Sequence, residues 1–113
     1  MTERLPAHVE AAGFIRRAQA EGGFAAILRK GDPDSGALIL IVRERGELCG
    51  ILERELGARF TYEWSFKRLD PRLERDSVAD LIARREQFDP DSWLIELDIA
   101  EPERFIAETT HPG

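Results

Sequence analysis

Cysteine is almost missing from this chain: Cys49 stands alone among 113 residues. It excludes an internal disulfide and matches a reducing cytoplasm. Histidine is nearly as scarce. His8 and His111 lie far apart, and neither stands beside a serine or cysteine in a recognisable motif. No nucleophile–base pair and no zinc ligand set can be assembled from them. Neither G-x-x-x-x-G-K-[ST] nor G-x-G-x-x-G occurs, which removes most nucleotide-dependent enzymes of ordinary type. The longest apolar run, "ALILIV", is about a third of what a membrane-spanning helix needs. The opening "MTERLPAHVE" lacks the basic-then-apolar order of a secretory signal. Together these absences predict a cytoplasmic protein with no membrane association, and they imply no cofactor and no dedicated metal set.

What is present is charge. Sixteen basic against 22 acidic residues leave a net charge of −6. An acidic chain is poorly suited to neutralising phosphates, so nucleic-acid binding is disfavoured. Apart from Lys30 and Lys67 the basic residues are arginines, scattered except at "IRR", "LRK", "FKR" and "ARR". An apolar fraction of 42% beside a charged fraction of 34% describes one globular domain, 1–113, with a highly charged surface.

Periodicity lays out the elements. In "LPAHVEAAGFIRRAQAEGG" the residues Ala7, Ala11, Phe14, Ile15 and Ala18 share one helical face, with Pro6 at the start and Gly22-Gly23 at the end. Four strand-like runs follow: "FAAILRK", "ALILIVRE", "ELCGILERE" and "RFTYEWSFK". The second is apolar at every position from Ala37 to Val42, so it belongs at the centre of a sheet. Gly50 interrupts the third, as a bulge or a close backbone contact. Short glycine-rich connections predict that the four form an antiparallel meander. A second helix starts near Asp76 or Ser77, which can cap it, and carries Val78, Leu81 and Ile82 inward. It stops before Pro90. "WLIELDI" is the last strand, and "PERFIAETTHPG" adds one helical turn docking Phe105 and Ile106. The expected fold is α+β: a mostly antiparallel four- to five-stranded sheet with two main helices packed on it.

Asp-Pro-Asp-Ser occurs twice, at 32–35 and 89–92, each time directly before a strand. Asp32, Asp34, Asp89 and Asp91 could supply oxygens to a hard cation. Proline with flanking aspartates is also ordinary turn chemistry, which accounts for both placements. Glu96 and Asp98 share one face of the last strand; the pair could bind a metal or act as acid and base, or be the solvated side of an edge strand. An arginine at 84 or 85 facing Glu96 would favour a site. Phe60, Tyr62, Trp64 and Phe66 alternate onto one strand face, which needs a cover from a helix or a second subunit. Cys49 reads as a packed thiol.

Three stretches carry a resemblance to a known family. "IRRAQAEGG", "RKGDPDSGALILIV" and "RREQFDPDSWLIELD" together resemble the bacterial family catalogued as domain of unknown function 1491. The run from Arg85 to Trp93 is the most specific part, and Gly31 to Gly36 supports it. The stretch from Leu48 to Arg75 matches only in general pattern. The resemblance implies an α/β domain with helices against a sheet, in an alphaproteobacterial cytoplasm, and it carries no established activity. Two functions stay in view. One is a non-enzymatic interaction module that binds a protein partner or itself through Phe60, Tyr62, Trp64 and Phe66. The other is a ligand- or metal-binding protein or enzyme using Arg85, Asp89, Asp91, Trp93 and Glu96.

Overall fold

Among the described residues the chain forms helices α1 (Ala7–Ala20), α2 (Glu74–Phe88) and α3 (Pro102–Thr110). The strands are β1 (Phe24–Arg29), β2 (Leu38–Glu44), β3 (Glu47–Leu56), β4 (Tyr62–Arg68) and β5 (Trp93–Asp98). The structure is a computed structural model describing residues 5–111 apart from 71 and 73, with backbone alone over 74–77. The sheet order is β1-β5-β2-β3-β4. Only the β2–β5 pairing is parallel; the other neighbours are antiparallel. The α+β class and the mostly antiparallel sheet are as expected, and β2, apolar from Leu38 to Val42, is central.

The expected four-strand meander is only partly formed. β2, β3 and β4 are consecutive, but β5 lies between β1 and β2. The loop 30–37 crosses two inter-strand spacings, roughly 10 Å, so it can step over an intervening strand. β1 and β2 still run in opposite directions, which is all that their pattern encodes. β5 is therefore internal, and its Leu94–Glu96–Asp98 face is not the solvated side of an edge strand: Leu94 is fully buried.

Each sheet face has its own cover. On one side Leu38, Leu40, Val42, Leu52, Trp93, Ile95 and Leu97 pack against Ala7, Ala11 and Ala18 of α1 and Phe105 and Ile106 of α3. The small alanines let α1 lie close to the strands. On the other side Ile39, Ile41, Ile51 and Leu94 meet Leu81, Val78 and Ile82 of α2. This helix begins at Glu74, ahead of Asp76 and Ser77, and the capping roles expected of those two fall outside the described side chains. α3 is longer than the single turn expected. Arg17 of α1 explains why it holds: its guanidinium stacks 3.7 Å from the Phe105 ring centroid and donates to the Phe105 carbonyl and Thr109 Oγ1, both at 3.0 Å. Gly50 sits beside a register shift in the β2–β3 ladder, and a Cβ there would run into the Lys67 carbonyl and the Phe66 ring.

Candidate functional site

β2 and β5 are parallel neighbours, so the two Asp-Pro-Asp-Ser turns that precede them arrive at the same end of the sheet. They interlock there, through backbone. Asp32 N donates to the Asp91 carbonyl at 2.9 Å, Trp93 N to the Ala37 carbonyl at 2.7 Å, and Trp93 Nε1 to the Asp32 carbonyl at 2.8 Å. A Cβ at either Gly31 or Gly36 would collide with the Asp91 carbonyl oxygen. The glycines flanking the first turn thus form a seat for the second. α1 joins the same knot, with Ala7 N and His8 N donating to the carbonyls of Asp34 and Pro33.

The carboxylates of the two turns do not converge. Asp32 Oδ1 turns back to its own loop, accepting from Asp34 N at 3.2 Å and Ser35 N at 3.5 Å. Asp34 and Asp91 are exposed. In the second copy the chemistry is rearranged: Ser92 N and Oγ donate to the Asp89 carbonyl at 3.1 and 2.8 Å. That leaves the Asp89 side chain to line a neighbouring cavity. No group of three His, Cys, Asp or Glu among the described residues is placed to hold a metal.

The cavity, about 390 Å³, opens where β2 begins and the β3–β4 hairpin runs on past it. It is lined by Ala37, Leu38 and Ile39 where β2 begins and by the side chains of Glu53, Arg54, Tyr62, Arg85 and Asp89. Arg85 donates to Glu53 Oε2 at 2.8 Å, with both side chains about a quarter exposed. Arg54 is gripped by both Glu10 carboxylate oxygens and lies over the Trp64 ring, 4.4 Å from its centroid. Of the five expected ligand-binding residues, then, Arg85 and Asp89 share this cavity. Trp93 is buried against α1 and α3, Asp91 points to solvent, and Glu96 lies farther along β5. The sequence reading does not single out Glu53 and Arg54; their signal is three consecutive charges, Glu53 to Glu55, following the apolar Ile51 and Leu52.

Glu96 and Asp98 are both engaged structurally. Glu96 meets Arg43, not Arg84 or Arg85: Arg43 Nε donates to Glu96 Oε2 at 2.7 Å across the parallel pair. Asp98 accepts from Arg45 N and Gly46 N at 2.8 and 2.7 Å, closing the β2–β3 turn, where both residues have positive φ. Cys49 is half-buried, and burial, then the nearby Glu44 carboxylate, pushes its thiol above the ordinary range. A thiol held protonated is a poor nucleophile.

The aromatic stripe is divided. Trp64 and Phe66 sit half-buried under the helices, with the Phe14 ring edge-on to Trp64 at 5.3 Å. β4 starts only at Tyr62, so Phe60 belongs to the hairpin turn and not to the strand face expected for it. Phe60 is 85% exposed, Tyr62 71% and Leu56 55%.

A family model described as "Protein of unknown function (DUF1491)" matches residues 5–107. The chain is similar to a DUF1491 family protein from Caulobacter crescentus CB15 solved by crystallography, at 27% identity and a TM-score of 0.68, covering 86% of this chain and 90% of that one. It is similar also to protein Atu0922 from A. tumefaciens, solved in solution, at 27% identity and a TM-score of 0.69, with 85% and 86% covered. No curated protein matches.

Proposed function

Because this chain belongs to the DUF1491 family, whose function is unknown, its role has to be argued from its own surface, and we propose a non-enzymatic protein-interaction module that docks through the β3–β4 hairpin end. The observation that carries this is Phe60. It has φ of 59° and an 85% exposed ring. A bulky residue in left-handed backbone costs of order 1–3 kcal/mol. Burial within its own chain does not offset that cost. The conformation is held by Phe60 N donating to the Gly57 carbonyl at 3.0 Å and Gly57 N to the Thr61 carbonyl at 2.8 Å. Leu56 and Tyr62 pair across the two strands directly behind it. Exposed aromatics of this kind are the side chains that anchor protein contacts. The carboxylates best suited to acid–base work point the same way, since Glu96, Asp98, Glu53 and Glu10 already serve cations or turn backbone of the fold.

A photocrosslinking residue at Phe60, with a second at the exposed Ala83 of α2 as control, tests this in cells. One discrete adduct from position 60, competed away by excess native domain and not by a Phe60→Ser/Tyr62→Ser domain, is the expected result. Equal labelling at 60 and 83 would sink the proposal.

A second reading has one specific observation behind it. Arg85 and Asp89, drawn from the most family-like stretch, flank the 390 Å³ cavity, a volume suited to a small polar ligand. A thermal-shift panel of small metabolites and divalent cations checks it; a stabilisation that survives Arg85→Ala would place the ligand elsewhere.

A further inference from the structure

The geometry points to a binding site for a small organic anion in the groove between α2 and the strands β3 and β4. Its ligand is a planar body carrying a phosphate or carboxylate head. The site depends neither on the hairpin contact nor on a ligand in the 390 Å³ cavity, although it shares Glu53 and Arg85 with that cavity.

Two periodicities bring the lining together. Leu81, Arg84, Arg85 and Phe88 recur at i, i+3, i+4 and i+7, so they share one face of α2. Ile51 and Glu53 alternate onto one face of β3, and Lys67 of β4 lies directly opposite Ile51. Helix face and sheet face meet around a groove of about 280 Å³. Ile51 and Leu81 are buried there, while the Phe88 ring is 74% exposed. A helix stripe that begins apolar at Val78 and Leu81 thus turns cationic at Arg84 and Arg85.

Charge selects the occupant. In a chain of net charge −6, three of the groove's side chains are cations and Glu53 alone is an acid. Arg85 donates to Glu53 Oε2 at 2.8 Å, so those two charges answer each other. Lys67 and Arg84 are different. Arg43, Arg54 and Arg104 each have a carboxylate partner in the fold, whereas among the described residues Lys67 and Arg84 have none, and both are exposed. Asp80 stands one turn before Arg84 on α2, yet no ion pair joins them. A negative head is attracted by both free cations, and the guanidinium can take two of its oxygens at once. A planar body stacks on Phe88, whose exposed ring is the apolar surface that burial would stabilise. A volume of about 280 Å³, at the small end for ligand sites, suits a single-ring molecule.

The test is a titration of the intact chain followed by amide NMR shifts, with phenyl phosphate, benzoate, inorganic phosphate and phenol as probes. Phenyl phosphate or benzoate should give saturable shifts centred on Lys67 and on Leu81 to Phe88, weakened by added salt. Whichever of the two binds more tightly identifies the head. Inorganic phosphate and phenol, each lacking one half, should bind about tenfold more weakly. Lys67→Gln/Arg84→Gln should weaken the aryl anion by about tenfold or more, whereas Lys67→Arg, which keeps the charge, should retain it. Circular dichroism melts check that these exposed substitutions leave the fold intact. Asp89→Asn alters the cavity and not the groove, so it should change nothing; loss of binding there would move the ligand into the cavity and overturn the proposal. Unchanged binding in Lys67→Gln/Arg84→Gln, an equal loss in Lys30→Gln/Arg59→Gln, or no saturable shift with either aryl anion would each overturn it as well.

Discussion

Replacing Gly36 with alanine adds one methyl group at the point where the two Asp-Pro-Asp-Ser turns meet. The new Cβ would collide with the Asp91 carbonyl oxygen and lie 2.8 Å from the Asp32 carbonyl oxygen and 2.9 Å from Trp93 Cδ1. Two of those neighbours are backbone, so relief requires the turns to separate. Overpacking of this kind costs about 2 kcal/mol. Separation also weakens the Asp32 N–Asp91 O and Trp93 Nε1–Asp32 O hydrogen bonds, each worth about 1 kcal/mol net. Against this, alanine restricts the unfolded chain and returns about 0.5 kcal/mol. The net loss is about 3.5 kcal/mol, or about 14 °C in Tm at roughly 4 °C per kcal/mol for a domain of this size. Urea unfolding followed by tryptophan fluorescence measures it, with an unchanged m-value as the check that the native state is still compact. Gly13→Ala is the control: it lies inside α1 with nothing within 4 Å of the added Cβ, and it should stabilise by about 0.5–1 kcal/mol. A Gly36→Ala protein within about 0.5 kcal/mol of the parent would refute the interlock.

Asp98→Ala removes the acceptor for Arg45 N and Gly46 N and should cost about 2 kcal/mol by urea titration. Arg54→Lys loses the two-pronged contact with Glu10 and the stacking on Trp64; about 1 kcal/mol is expected, and a double-mutant cycle with Glu10→Gln should show most of it as coupling. The Cys49 thiol is raised by burial and then by Glu44, so its alkylation profile in the native protein should be displaced to higher pH than in urea. The sign follows for stability: the protonated thiol favours the folded state, a contribution complete below the unfolded pKa and lost as pH rises through the folded one. Superimposable profiles in native and urea samples would contradict this.

Residues whose role is set by local pattern were legible in the sequence. The alanine face of α1, the two-sided burial of β2 and the close backbone contact at Gly50 follow from periods and glycine signals that a short window contains. The place of β5 was not. Trp93 to Ile99 alternates as any half-buried strand does, and nothing within it says that its neighbours are β1 and β2, which lie far upstream. The same limit governed the site. Glu96 looked available because its cation, Arg43, sits 53 positions away, and the seat that Gly31 and Gly36 form takes shape only when the Asp91 carbonyl packs against both. Phe60 was assigned to the strand by alternation, while the backbone turns it out of the strand with positive φ. The interlocked turns, although written twice in the chain, show their common purpose only once the parallel pair exists.

That parallel pair also dictates an order of events. Among the described residues β1 pairs with β5 alone, so a strand completed early in synthesis waits for one made near the end. Until Trp93–Asp98 emerges, both Phe24–Arg29 and one side of Leu38–Glu44 remain apolar and unpaired. β2, β3 and β4 can close as a local meander first, since their contacts are short in sequence. The late strand then slides between two waiting edges, and the glycine-flanked first turn is the dock that admits it. Chains halted before Trp93 therefore leave β1 and the β5-facing side of β2 open, and such truncations are expected to aggregate more readily than the full chain in a light-scattering assay.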